Sequence, residues 1–356
     1  MPELRTKPWA ESMGRAIRCS IERIENNRMQ HIGLGGWRFF LSFLVAISHL
    51  YGSMIHGPAA YAVWGFYVLS GYLMTYIINE RYGDQADGLK KYARNRFLRI
   101  YPLYGLAFVL GVCTIEWSRA SGIELQRLNP EFFRPGSVRE WLVAASLLPM
   151  LPKGGLPVPV SSALAIEVGF YLLIAIFATH KRGVWGALVM ALLINLEIGI
   201  RTETFAQRYA TFLPTLVAFL AGSLVYHHRK DLQKLVFPRL SMLVWVLHCL
   251  VWLKYDSWPW RSGLYLSVVL SAWVVISLCE VREGGFSNLL GEMSYPVYLF
   301  HTTVGAWFLG SFGYERPIGF FLLSFALTLV ISYLVIVFID RPLHRLKVSV
   351  RPSPQS

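Results

Sequence analysis

Ten apolar stretches of roughly membrane-spanning length, separated by short polar links, leave this chain few folds to choose from. They cover 37–55, 61–79, 101–118, 161–179, 183–199, 209–226, 240–254, 262–279, 293–310 and 318–339. A backbone that crosses lipid must satisfy its own hydrogen bonds, so segments of this kind read as helices. The expectation is an all-α fold: a polytopic transmembrane helical bundle of about ten spans. Composition agrees, with 54% hydrophobic and 15% charged residues among 356 and a mean hydropathy of +0.44. A further apolar run, 141–152, ends in Pro149 and Pro152. At about a dozen residues it suits a re-entrant or interfacial piece.

A net charge of +13 raises the question of nucleic acid. In a chain this apolar it reads instead as basic cytoplasmic loops, with the lipid bilayer as partner and no nucleic acid. With the N-terminus inside, the inner segments hold 23 Lys and Arg and the outer segments 10, with Arg38 inside the first span. That bias predicts both termini in the cytoplasm. Residues 1–36 are polar and arginine-rich, and read as a cytoplasmic tail followed by a first span, not as a cleaved signal. Ile17, Ile21 and Ile24 within it have the spacing of a surface helix. Residues 346–356 form a second cytoplasmic tail. The longest outer loop, 119–160, carries six prolines and is too short for a separate domain, but long enough to cover an outer mouth. The four cysteines are scattered without metal spacing, and no metal site is predicted.

Between Arg38 and His49 lie ten uncharged residues. Eleven steps of about 100° make three turns plus roughly 20°, so both side chains share one face, about 16 Å apart along the axis. Ionisable groups inside an apolar helix are costly and are functional candidates by default. Two readings stay open on these residues alone. The face lines a polar cavity or helix interface, or Arg38 snorkels to headgroups while His49 bonds a neighbouring helix.

Four further features stand out. Lys90, Lys91, Arg94, Arg96 and Arg99 crowd the loop 80–100, just before Tyr101-Pro102. Arg96 and Arg99, three apart, share a helix face and suit phosphate, whereas ordinary positive-inside charge accounts for the count. Ser70-Gly71 lies in the second span, where small residues let helices pack closely. Glu167 lies in the fourth span and needs a partner, with His49 and Arg38 as candidates. His301 lies in the ninth, within SYPVYLFH.

In order, these pieces form one pattern: R-x10-H, GFYVLSGYLM, RNRFLRIYPLY, an intramembrane Glu before FYL, SYPVYLFH and a closing IDRP. From 37 to 345 the chain resembles the acyltransferase 3 family of bacterial integral-membrane O-acyltransferases, which modify envelope glycans and secreted saccharides. It departs from the family at Ser162-Ala163-Leu164, where Trp-Ser-Leu is common, and at Asp340-Arg341-Pro342, where Glu-Pro is common. The resemblance implies a 37–345 transmembrane acyltransferase domain in the bacterial inner membrane. It also implies an acyl-CoA donor, acetyl-CoA foremost, and a saccharide or lipid-linked glycan acceptor. Arg38 and His49 match the motif tied to activity, and Arg96 and Arg99 match the RxxR tied to acyl-CoA use, with Arg94 and Lys91 beside them.

The chemistry then needs a cationic mouth for CoA phosphates and a base near neutral pKa for the acceptor hydroxyl, a role that suits His49. Arg38, three turns from His49, goes to the donor or to helix structure, and Glu167 joins them as a third catalytic candidate. The rival reading is a proton-coupled transporter or channel that uses Arg38, His49, Glu167 and His301 as a relay.

Overall fold

In a computed structural model, the described residues are 33–54, 58–82, 87–148, 154–177, 180–251, 254–255, 257–258 and 260–347. Most of the N-terminal tail, the end of the 141–152 run and the last residues of the C-terminal tail lie outside them. Among the described residues there is no strand, and the fold is all-α.

Among the described residues, helices of differing length overlap the ten predicted segments. They are α1 (Leu34–Leu50), α2 (Ala59–Ile77), α3 (Gly88–Ser121), α5 (Ser161–Phe177), α6 (Lys181–Ile198), α8 (Phe212–His227), α9 (Pro238–Leu250), α10 (Ser262–Leu278), α11 (Gly285–Phe312) and α12 (Ile318–Val335). Short helices α4 (Val138–Ser146) and α7 (Phe205–Tyr209) sit in connections. Among the described residues, three helical stretches are long and apolar enough to cross a membrane: Ala59–Tyr82, Gly88–Ser121 and Ile318–His344. Two of these include π-turns, at Ile78–Tyr82 and Ile336–Asp340, which prolong α2 and α12.

The segment 80–100, expected as a loop, is largely helix. α3 begins at Gly88 and continues past Pro102 to Ser121, where Gly122 ends it at φ 68°. The proline removes one ladder bond, but the apolar run on its C-terminal side carries the helix on. Of the 141–152 run, residues 141–146 belong to α4, and 149–152 lie outside the described residues. Ser137 caps α4 by accepting from the Glu140 N–H, and the Glu140 carboxylate accepts in return from the Gly136 N–H at 2.7 Å, a reciprocal cap.

Glycines set the closest helix contacts. A Cβ on Gly71 would run into the Phe219 carbonyl, and one on Gly222 into the Val68 carbonyl, so α2 and α8 touch through backbone. A Cβ on Gly291 would lie 2.8 Å from Gly35 Cα, so α1 and α11 touch likewise. Contacts along each pair run in the same direction. Gly35 meets Gly291, Arg38 meets Ser294 and His49 meets His301, so α1 and α11 are parallel. Gly71 meets Phe219 and Thr75 meets Ser223, so α2 and α8 are parallel too. The start of α1 is held from α11 and the turn before it: Glu283 accepts from the Gly35 N–H at 2.7 Å, and Ser287 Oγ accepts from Gly36 at 3.2 Å. A carboxylate at this end also answers the helix dipole.

The first part of the 119–160 segment packs on one end of α1 and α11. Leu125, Leu128 and Phe132 pack into a core with Ala46 and Leu50 of α1, Ala306 and Leu309 of α11 and Phe320 of α12. These are the helix ends nearest His49.

Candidate active site

Two groups of polar side chains lie along the parallel pair α1 and α11. The first lines a cavity of about 210 Å³ between α1, α2, α3, α5 and α11. Arg38, Arg96 and Arg99 bring three guanidinium groups to it, and Glu167, Ser70, Tyr171, Tyr295 and Tyr298 complete its polar wall. Leu69, Leu73, Leu164 and their neighbours make the rest apolar. Arg38 reaches it from the first turns of α1, and Arg96 and Arg99 from consecutive turns of α3, as the shared-face spacing predicts. Lys91 and Arg94 do not line it. Arg94 is exposed and donates to the Leu346 carbonyl at 3.4 Å, which brings the segment after α12 beside the start of α3.

Glu167 has partners the sequence did not reveal. Neither His49 nor Arg38 bonds it directly. The hydroxyls of Ser70 and Tyr171 both donate to its Oε1. Tyr171 is four residues on and so lies one turn away on the same face. Ser70 comes from the α2 serine–glycine pair. The glycine serves helix packing, as expected, and the serine faces the cavity.

The second group is a pair of imidazoles. His49 Nδ1 lies 2.9 Å from His301 Nε2, with ring planes only 4° apart. His301 is fully buried, and its Nδ1 lies 3.1 Å from the Val297 carbonyl. That carbonyl only accepts, so the proton of a neutral His301 sits on Nδ1. Its Nε2 is then an acceptor, and His49 must donate from Nδ1. Nε2 of His49 is left with a free lone pair, the state a base requires. The chain of groups thus selects a tautomer, as a second residue does for many catalytic histidines. From the sequence, His301 stood as a polar group of the ninth span and a member of the rival relay, not as a partner of His49. Its spacing from Arg38 and His49 is tertiary, and no local pattern reveals it.

Cavity and imidazole pair adjoin through Tyr298. It lines the cavity, its hydroxyl donates to the Val160 carbonyl at 2.8 Å, and its ring centre lies 6.3 Å from that of His301. Both earlier readings of the Arg38 face are therefore realised in part: Arg38 faces a polar cavity, and His49 faces a helix interface.

The closing IDRP segment is tied to α11, because Arg341 pairs with Glu292 at 3.1 Å. Beside it, burial and the nearby Arg99 pull the Lys347 ammonium down to about 8. Lys347 donates to His344 Nε2 at 2.8 Å. It adds a cation near the RxxR arginines that the sequence alone did not single out.

Residues 31–337 match the acyltransferase domain of the acyltransferase 3 family. An uncharacterized protein of Aquifex aeolicus is 26% identical over 211 residues, which are 53% of this chain and 89% of that protein. No solved structure matches the chain. With nearly the whole chain inside that match, from before Arg38 to beyond His301, the protein belongs to the acyltransferase 3 family.

Proposed function

We propose that this acyltransferase is a membrane O-acyltransferase. It moves an acyl group, acetyl foremost, from cytoplasmic acyl-CoA to a hydroxyl of a cell-envelope or secreted saccharide. The observation that carries the reading is the arrangement along α1 and α11: a cavity with three arginines at one level and a tautomer-fixed imidazole pair at another. A CoA thioester has this polarity itself, with phosphates at one end and the acyl carbon at the end of a long arm. The cavity is below the roughly 300–1,000 Å³ of pockets that bury a drug-sized ligand. It suits the slender arm, with the nucleotide left at the mouth.

In this mechanism Arg96, Arg99 and Arg38 hold the phosphates and draw the donor in. His49 Nε2 removes the proton of the acceptor hydroxyl as its oxygen attacks the thioester carbon. The carbon–sulfur bond then breaks, and the thiolate leaves as CoA thiol with the proton His49 had taken. Glu167, held by Ser70 and Tyr171, balances the arginines and orients the arm. The same charged residues would serve a transporter, but family membership favours the transferase.

The proposed setting is the bacterial inner membrane, with ten spans and both termini in the cytoplasm. Alternate threading makes odd-numbered spans parallel to one another, and even-numbered spans likewise. The first and ninth spans are parallel, as are the second and sixth, which supports that threading. The test is mass spectrometry of envelope glycans and secreted saccharides from cells with the protein, without it and with His49→Ala. One glycan species should lose an acyl mass in both deficient strains. Identical profiles in all three would refute the proposal.

A further inference from the structure

The turn between α11 and α12 carries a buried arginine that sequence reasoning placed only among outer charges. Arg316 is 5% exposed. Its Nη1 donates to the His49 carbonyl at 2.5 Å and lies 3.4 Å from the Leu128 carbonyl. Its own carbonyl accepts from the Gly52 N–H at 2.9 Å. Gly52 is needed there, because a Cβ would run into the Glu315 carbonyl. Three segments therefore meet at one side chain: the end of α1, the α11–α12 turn and the connection that covers them.

The backbone at Arg316 adds a second observation. Its φ is 51°, in the left-handed region where glycine is the default and a side chain carries strain. The turn accepts that strain and holds a guanidinium where a glycine would sit more easily. The last carbonyls of a helix have no partner within it, and a cation there also answers the helix dipole. Here the carbonyl belongs to His49 itself, so the contact fixes the backbone from which the imidazole projects.

We propose that Arg316 is a positioning residue for acyl transfer: by tying the His49 carbonyl to Leu128 it sets the imidazole of His49 against the segment that covers it. This rests on the reading of His49 as the base. Arg316 lies at the opposite end of α1 from the arginine-lined cavity, so donor binding and transfer separate in the test. Two quantities are measured for protein in inside-out vesicles of the producing cells' own inner membrane, with the total envelope glycan extract of those cells enclosed. One is the affinity for CoA. The other is the maximal rate of label transfer from radiolabelled acetyl-CoA, per inserted protein.

Arg316→Ala should lower the maximal rate about a hundredfold, the scale of a misplaced catalytic group, with CoA affinity within about threefold of the parent. Arg316→Lys, which keeps a cation able to reach one carbonyl, should recover to within about tenfold. If the alanine variant fails to insert, Arg316→Gln takes its place with the same split expected. An unchanged rate, or a rate and CoA affinity that fall together, overturns the proposal. His49→Ala separates the two claims. If it turns over normally, the base assignment fails. If it is inactive while Arg316→Ala is normal, the role of Arg316 alone fails.

Discussion

The pairing of His49 with His301 makes a prediction whose size follows from the geometry. His301→Leu keeps an apolar side chain in the site and removes the acceptor 2.9 Å from His49 Nδ1. A neutral hydrogen bond of this kind contributes about 0.5–1.5 kcal/mol, or roughly two- to twelvefold. A base that is no longer oriented loses up to about a hundredfold more. The maximal rate should therefore fall by about twofold to a thousandfold. His301→Gln offers an amide oxygen to the same N–H and should stay within about tenfold of the parent. His49→Ala and His49→Gln remove the proposed base, which should cost about 10²–10⁴. Glutamine cannot take a proton at neutral pH, so it should be as inactive as alanine, whereas a structural histidine would tolerate it. The assay is initial transfer from radiolabelled acetyl-CoA in membrane vesicles, corrected for inserted protein. Near-normal turnover by His49→Gln would sink the base assignment. Parent turnover by His301→Leu, with His49→Gln inactive, would remove the orienting role of the pair.

Other consequences can be checked separately. Arg96→Ala and Arg99→Ala should each weaken acyl-CoA binding about ten- to a hundredfold, because charge-assisted phosphate contacts contribute about 1.5–3 kcal/mol; lysine should rescue only in part, and an unchanged donor KM in both would refute the phosphate role. Lys347, with its pKa near 8, is charged below that pH and neutral above it. Donor KM should therefore rise between pH 7 and 9, as about ninety per cent of the charge is lost over that interval. Lys347→Arg should flatten that rise; the same slope in the arginine variant would show that another group causes it. Gly71→Val would drive a side chain into the Phe219 carbonyl and should abolish stable insertion, read as loss of protein from detergent-solubilised gel filtration. Ala93→Cys, exposed near the start of α3, should resist an impermeant thiol reagent added outside intact cells in a cysteine-free background. Ready labelling would invert the proposed threading.

Helix positions were legible because the physics behind them is local. Apolar runs of spanning length became helices, and the spacing of Arg96 and Arg99 put both on one cavity wall. The start of α3 was missed because Gly88, Lys90 and Lys91 look like a polar loop when read by hydropathy. Its helicity is a matter of backbone continuity, not of apolar content. Arg38 and His49 stood out as charges in an apolar run, but their partners did not. Nothing near Glu167 in sequence points to Ser70, some hundred residues earlier. His301 and Arg316 meet His49 only after α11 has folded back alongside α1.

The parallel seam of α1 against α11 also makes one part of the chain sensitive to length. Arg38 and His49 are joined by unbroken helix, so their separation and shared face are fixed by residue count. One residue inserted between them would turn His49 about 100° away from His301 and shift it by about 1.5 Å. The exposed residues 200–203 line neither the cavity nor the imidazole pair, so the same insertion there leaves the count between Arg38 and His49 unchanged. Substitutions in α1 can be absorbed one contact at a time. A change of register there would take the arginine-lined cavity and the imidazole pair out of alignment in a single step.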